Sequence, residues 1–319
     1  MTDHPRFRAP TEASRTTSGL TESPGGLRAP ALPGLPLRRF PRTLHSREAA
    51  HAAGEAVVSV TTWPRVSVVI PTMNEARNLP HVLNELPFGI FEVIVVDGHS
   101  TDGTIDAARA ARPDCLILSQ SGRGKGDALL YGFRHAQGDV IVTLDADGSA
   151  DPAEIPLFVG ALVAGADFTK GSRHAVGGGS ADLTRLRSLG NRALGKIVNI
   201  LYGTRYTDLC YGYNAFWRSC LPHLALDCNG FEVETLMNVR VAKARLRVSE
   251  VPSFERARLH GSSNLRTWPD GWRVLRTIVR ERWTTQPNRA IPGPVARSRP
   301  SEVEVEVAEP SPVGGDDRH

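Results

Sequence analysis

No apolar run in this 319-residue chain approaches the roughly 20 residues needed to span a bilayer; the longest, VSVVI and VIVV, have the length of strands. Membrane contact, where it occurs, is therefore expected to be peripheral. Cysteine is scarce: Cys115, Cys210, Cys220 and Cys228 are the only four, and none falls in a CxxC pair. That spacing argues against a zinc site. With no secretory signal, it points to reduced thiols in a cytoplasmic protein. Dense basic runs and aromatic-rich basic stripes are missing too, and a net charge of +4 with pI about 9.0 is too mild to imply nucleic acid. There is no GxxxxGK[ST], and no GxGxxG follows the first apolar segment, so neither a phosphate loop nor a dinucleotide fingerprint is present. What remains is an ordinary globular composition, 40% hydrophobic and 23% charged.

Proline marks the boundaries. Of 23 prolines, eight precede Arg65 and six follow Trp283. Residues 1–64 are rich in Pro, Arg, Ser and Thr, and 284–319 include PGPVARSRPSEVEVEVAEPSPVGGDD. Such segments bury too little apolar area to offset chain entropy, so both are expected to be disordered. An Arg-rich leader could be a transit peptide, but Glu12, Glu22, Glu48 and Glu55 speak against it. EVEVEV alternates like a strand, yet it sits among prolines and reads as a solvated tail. One folded domain is expected over 65–283.

Within it strands and helices alternate. VSVVI (66–70) reads as a buried strand ending at Pro71. Residues 75–86 carry Ala76, Leu79, Val82, Leu83 and Leu86 at helical spacing. EVIVVD (92–97) is a second strand, and TDGTIDAARAA opens a helix capped by Thr101 or Asp102. CLILS (115–119) is a third strand, 125–136 a helix, and DVIVTLD (139–145) a fourth strand. Near-continuous apolar strands alternating with helices imply an α/β fold, a mainly parallel sheet covered by helices on both faces. In such sheets ligands bind beyond the carboxyl ends of the strands.

Those ends carry PTMNE (71–75), DGHSTDGT (97–104) and DADGS (145–149). Each alone is weak: Asp97 could cap a turn, Asn74 and Glu75 could open a helix, and a lone DxD is common. Together they converge on one rim. Paired aspartates there suit a nucleotide sugar, whose diphosphate leaving group needs electrostatic stabilisation. A hard divalent cation held by one or two carboxylates and the substrate's phosphates provides it. On an extended segment Asp145 and Asp147 would point to one side, one holding the ion while the other orients the ribose or a water. GRGKGDA (122–128) adds Arg123 and Lys125 between glycines.

In this order VSVVIPTMNE, VIVVDGHSTDGT, GRGKGDALLYGFRHAQGD, DADGSADP and KGSR resemble the family-2 glycosyltransferases of GT-A fold. TDLCYGYNAFWR (207–218), GFEVET (230–235) and VPSFERARLHGSSNLR (251–266) look like the dolichol-phosphate mannosyltransferase and polyprenyl-phosphate glucosyltransferase branch. The resemblance implies an inverting transfer of a hexose from a UDP-glucose or GDP-mannose type of donor, with Mg2+ or Mn2+. It places Pro71, Asn74, Glu75, Asp97, Lys125 and Asp145 around the donor nucleotide, with Asp97 reaching the base. Asp145 and Asp147 fall on the metal-binding DxD. Arg173, in KGSR, and Arg187, in RLRSLGN, match positions facing phosphates, and guanidinium forks suit phosphate oxygens. Asp208 heads the segment beside the acceptor. Glu234 or Glu232 would face the cleft, and Arg258 belongs to a loop that closes over the donor or acceptor.

The chain departs from the family at three places. Gly98 stands where a second acid is usual, Ser149 where the lipid-directed branch has a metal-binding glutamine, and Asn264 where a basic residue is common, which would pass phosphate contact to Arg266. His99 beside the site could be catalytic or a structural turn residue. A phosphate acceptor needs little general-base help, whereas a sugar hydroxyl needs a positioned carboxylate; Asp208 and Glu234 are candidates.

Two segments bear on membrane contact. In 267–283, Trp268, Trp272, Leu275, Val279 and Trp283 share a helical face flanked by Arg273, Arg276 and Arg280. That pattern fits either the headgroup zone or packing onto the domain. Residues 189–203 carry Leu194, Ile197, Val198 and Leu201 beside Arg192 and Lys196. The favoured acceptor is a polyprenyl phosphate at the inner face of the plasma membrane. The alternatives are a soluble or polysaccharide hydroxyl acceptor, and a nucleotide-sugar-binding protein without catalysis.

Overall fold

A computed structural model describes residues 63–261 and 267–284, and nothing of the Thr267 side chain. The segments expected to be disordered, apart from Trp63, Pro64 and Thr284, lie outside the described residues, as do Asn264 and Arg266.

The chain runs β1 (Val66–Thr72), α1 (Leu79–Asn84), β2 (Glu92–Asp97), α2 (Thr104–Ala111), β3 (Leu116–Ser119), α3 (Lys125–His135) and β4 (Val140–Thr143). It continues through α4 (Ile155–Val163), β5 (Phe168–Ser172), β6 (Gly179–Ser180), α5 (Arg185–Tyr202), β7 (Asn214–Trp217), α6 (Leu221–Leu224), α7 (Val233–Lys243), β8 (Val248–Pro252), β9 (Phe254–Glu255) and α8 (Thr267–Trp283). Seven strands form one sheet in the order β3-β2-β1-β4-β7-β5-β8, and β6 pairs with β9 separately. Only β7 runs antiparallel in the large sheet, so the mainly parallel α/β architecture expected from the strand pattern is present. The chain builds outward from β1 through β2 to β3, then returns to lay β4 on the other side of β1. The crevice beyond β1 and β4 is therefore a topological switch point, where open α/β sheets bind ligands.

Alternation along β1 explains the double burial. Val66, Val68 and Ile70 join one core with Val82, Leu83, Val142 and Phe158, while Val69 joins the opposite core with Ile94, Leu129, Phe133 and Phe216. α3 approaches the sheet through Gly132, where a methyl group would stand 2.4 Å from Val69 Cγ1. A third cluster seats α8 on α5 and α7 through Val198, Val239, Val274 and Ile278.

Several boundaries differ from expectation. α1 is six residues long, not twelve: Pro80 sits in its first turn and Pro87 follows, while 75–78 form a turn in which Glu75 O accepts from Asn78 and Leu79. β1 continues through Pro71 to Thr72, where only β2 still pairs with it. The N-cap of α2 is Gly103 (φ 85°), not Thr101 or Asp102, although Asp102 Oδ1 accepts from Thr104 N at 3.1 Å. β4 stops at Thr143, so Asp145 and Asp147 lie on a turn with Gly148 at φ 76°, not on an extended strand.

Candidate active site

The carboxyl ends of β1, β2 and β4 open into a cavity of about 520 Å3, closed from the far side by α5, the start of α7 and α8. Its lining brings together Pro71, Glu75, Lys125, Asp145, Asp147, Arg173, Arg187, Glu234 and Arg258 from segments up to 187 positions apart. Asn74, Asp97 and Asp208 are not among the lining residues. Asn74, at φ 57°, turns its side chain to the β2 loop, where Oδ1 accepts from Thr101 N at 2.9 Å. That contact ties the β1 and β2 loops together. His99 also serves the scaffold: its Nε2 lies 3.2 Å from Gly122 O.

Three ion triads organise the lining, each one cation shared by two carboxylates. Lys125 Nζ lies 2.7 Å from Asp145 Oδ1 and 2.6 Å from Glu234 Oε1. Arg258 reaches Glu75 Oε1 at 2.9 Å and Asp147 Oδ2 at 3.2 Å. Arg173 holds Asp208 through Nε at 2.7 Å and Nη2 at 3.0 Å, and Glu255 through Nη1 at 3.1 Å. Each triad carries one net negative charge. The whole lining has seven carboxylates against four basic side chains, a formal excess of three negative charges.

Burial and pairing compete within the triads. Burial works against the Lys125 ammonium, but Asp145 and Glu234 outweigh it and its pKa rises. Burial pushes the Glu234 carboxyl up, and the Asp145 charge adds to that push against the pull of Lys125. Asp208 goes the other way: burial would raise its pKa, yet the Arg173 hydrogen bonds and charge hold it far below the carboxylate range. Burial raises the Cys210 thiol to about 12, so it faces the site as an inert neutral group.

The geometry bears on three expected roles. Asp208 is 1% exposed, and its carboxylate is filled by Arg173 and by Asn191 Nδ2 at 2.7 Å. Its carboxylate orders Arg173. The Arg173 fork is spent on two carboxylates and stacks 4.8 Å from the centre of the Tyr211 ring, so it is no open phosphate clamp. Glu234 lines the cavity tied to Lys125, whereas Glu232 does not reach the lining.

Sequence reasoning missed Gln120, Thr72 and Gly212. Thr72 Oγ1, Asp97 Oδ1 and Gln120 Oε1 are buried without a hydrogen-bond partner beside Gly98, and each residue is at most 4% exposed. An unmet buried polar group costs about 1–3 kcal/mol, and Thr72 and Gln120 also line the cavity. Gly98 gives this cluster room, since a methyl there would crowd Gln120 Nε2 and Thr72 O, both at 3.2 Å. Gly212 makes room for the first triad: a methyl would stand 2.8 Å from Asp145 Oδ2 and 2.9 Å from Lys125 Nζ. No local pattern marks Gln120 or Gly212, because the partners of each come from other strands.

The donor set fits a divalent cation. Among the described residues no three His, Cys, Asp or Glu side chains gather as a closed metal cage. Two carboxylates on one turn are what Mg2+ or Mn2+ uses when substrate phosphates and water complete the shell, and the negative lining attracts a cation.

Comparison with known proteins decides the class. The profile described as glycosyl transferase family 2 matches residues 67–224. Glycosyltransferase AglJ of Haloferax volcanii is 32% identical over 225 residues, which cover 70% of this chain and 73% of that protein. This chain belongs to glycosyltransferase family 2. The glycosyltransferase is also 36% identical over 200 residues to the undecaprenyl-phosphate mannosyltransferase of Micrococcus luteus, covering 59% of this chain and 82% of that one. Its GT-A fold is matched by glucosyl-3-phosphoglycerate synthase from Mycobacterium tuberculosis, crystallised with Mn2+, UDP-glucose and phosphoglyceric acid. There the TM-score is 0.56 and the identity 25%, over 70% of this chain and 81% of the other.

α5 and α8 form the rim of the cavity, and both leave apolar side chains exposed. Leu186 and Leu189 on α5 are 56% and 67% exposed; Trp268, Trp272 and Trp283 on α8 are 79%, 68% and 83% exposed. The domain is instead packed by Val274, Thr277, Ile278 and Glu281, with Glu281 2.9 Å from Arg240. The tryptophan face of α8 is thus not the packing face. On α5, Val198 is buried and Leu194 and Ile197 pack against the same cluster, so of the apolar residues singled out there only Leu201 is exposed, beside exposed Arg192 and Lys196. No helix among the described residues is long and apolar enough to cross a membrane.

Proposed function

We propose that the enzyme transfers a hexose, with inversion, from a nucleoside-diphosphate sugar of the UDP-glucose or GDP-mannose type to a polyprenyl phosphate at the inner face of the plasma membrane. The observation that carries this reading is the two-sided lining of the cavity. Carboxylates and cations occupy its strand-end wall, and Leu183, Leu186, Leu194 and Val274 form an apolar wall toward α5 and α8. A charged head and an isoprenoid tail need that pairing.

The base would lie against Thr72 and Gln120, which line the cavity, with Asp97 buried directly behind them. Asp145 and Asp147 would hold Mg2+ or Mn2+. When bound, that ion neutralises charge on the departing diphosphate. Lys125 and Arg258 flank the same turn and offer positive charge to phosphate oxygens. Arg187, in the first turn of α5, stands on the acceptor side, where the helix N-terminus favours an anion as well. Asp208 and Asn191 fix Arg173, which braces Glu255 and the rim.

Both candidate general bases are engaged, Asp208 by Arg173 and Glu234 by Lys125. That favours an acceptor which is already an anion and needs no proton removed. The likeness to a synthase crystallised with phosphoglyceric acid motivates a second reading, a soluble hydroxyl acceptor. Incubation of radiolabelled UDP-glucose and GDP-mannose, separately, with vesicles containing polyprenyl phosphate distinguishes the two. Label should enter the organic phase with one donor. Label that stays aqueous with both donors, and moves to a soluble acceptor, would overturn the lipid assignment.

A further inference from the structure

The turn that carries Asp145 and Asp147 is covered by a strap, residues 256–261. Arg256 N donates to Ser149 O at 2.7 Å, Asn78 Nδ2 donates to His260 O at 3.0 Å, and Leu259 lies over Gly148, where a methyl would meet its Cδ1 at 2.8 Å. This seating delivers Arg258 between Glu75 and Asp147. The side chain is 18% exposed, and each of its terminal nitrogens faces a different carboxylate. Asp147 Oδ1 accepts from Ser149 N at 3.0 Å, so Oδ2, the oxygen on Arg258, is the one turned to a cation.

We propose that Arg258 is a placeholder cation. In the ligand-free enzyme it neutralises Asp147 and Glu75, it competes with the divalent ion for Asp147, and once displaced it turns to the donor's diphosphate. The inference rests on the metal-assisted reading above and adds a direction to it. A divalent ion on the same oxygen would repel the guanidinium and draw off the carboxylate's charge, so metal binding weakens the Arg258–Asp147 contact. The freed guanidinium then lies beside a diphosphate that needs a fork-shaped donor. Metal and nucleotide thereby assist each other: the ion releases the arginine that grips the phosphates, and the phosphates hold the arginine away from the ion's ligand.

Arg258→Met keeps most of the apolar stem of the side chain and removes its charge and its donors. Mn2+ binding to nucleotide-free full-length protein, followed by electron paramagnetic resonance, should tighten about fivefold in this variant, the scale of a part-exposed ion pair. The factor by which added UDP or GDP tightens Mn2+ should shrink from its wild-type value. Arg256→Met, on the same strap but paired with Glu85 and Asp151, removes the same charge and should leave Mn2+ affinity unchanged. Thermal melts establish that each variant is folded, and Arg258→Lys, which keeps a charge but no fork, should fall between wild type and Met. Unchanged or weaker Mn2+ binding in Arg258→Met overturns the placeholder role, as does equal tightening in Arg256→Met. Failure of the metal reading itself looks different: wild type would then bind no Mn2+, or bind it equally well after Asp147→Asn.

Discussion

Replacing Asp208 by Asn changes one atom and keeps the shape of the side chain, so its cost reports the charge. The native carboxylate receives Arg173 Nε at 2.7 Å, Arg173 N at 3.1 Å, Arg173 Nη2 at 3.0 Å and Asn191 Nδ2 at 2.7 Å. All four are donors, and two converge on each oxygen. An amide must turn its own N–H2 toward one of these pairs, and it leaves the Arg173 guanidinium, 7% exposed, with Glu255 alone. Breaking a buried ion pair from one side costs about 3–5 kcal/mol. For a domain of this size that is a fall in melting temperature of about 6–20 °C. Differential scanning calorimetry at pH 7 measures it. The pH dependence has a definite sign. The pairing depresses the folded-state pKa of Asp208 below its ordinary value of 3.8. Its contribution is therefore complete above that value and is lost as pH falls through the depressed one. The gap between wild type and Asp208→Asn should be constant from pH 5 to 8 and narrow below about pH 4. A variant that melts within about 1 °C of wild type at pH 7, or a gap that widens on acidification, would refute the reasoning.

Asp147→Ala should lower metal-dependent transfer about 100-fold or more, the scale of losing one electrostatic stabiliser, with the melting temperature changed by only a few degrees; steady-state kinetics across a Mn2+ titration checks both. Gly212→Ala places a methyl against the Asp145–Lys125 pair. It should cost about 1–3 kcal/mol and depress activity more than stability, which parallel denaturation and turnover measurements separate. Replacing Trp268, Trp272 and Trp283 together by Ser removes exposed aromatic area without touching the packed face of α8. Co-sedimentation with anionic vesicles should fall at least about tenfold; undiminished binding would show that the tryptophans do not face lipid.

Much of the architecture was legible because it depends on local period and punctuation. Continuous apolar runs marked β1, β2 and β4, and the strand-helix alternation foretold the parallel sheet. The errors fell where a neighbour overrode the pattern. α1 was read as twice its length because its apolar spacing ran through Pro80. TLD continues the apolar run and suggests a strand to Asp145 with Asp147 on the same extended segment, whereas the pairing ends at Thr143 and a turn begins. Of the site, the acidic strand ends and Lys125, Arg173, Arg187 and Arg258 could be named from motif order. What each side chain does could not, since Arg173 and Asp208 are 35 positions apart and Arg258 and Asp147 are 111 apart.

The linear chain by itself determined the class of fold, the family and the edge of the sheet where chemistry gathers, because hydrophobic period and motif order are properties of sequence. Tertiary structure alone decided which charges neutralise which. It made Arg173 a brace and Arg258 the partner of Asp147, left Thr72, Asp97 and Gln120 with unmet oxygens, and turned the tryptophans of α8 outward. The physical reason is that ion pairing and desolvation depend on distances of a few ångströms between groups far apart in the chain, and those distances exist only after the sheet has closed around them.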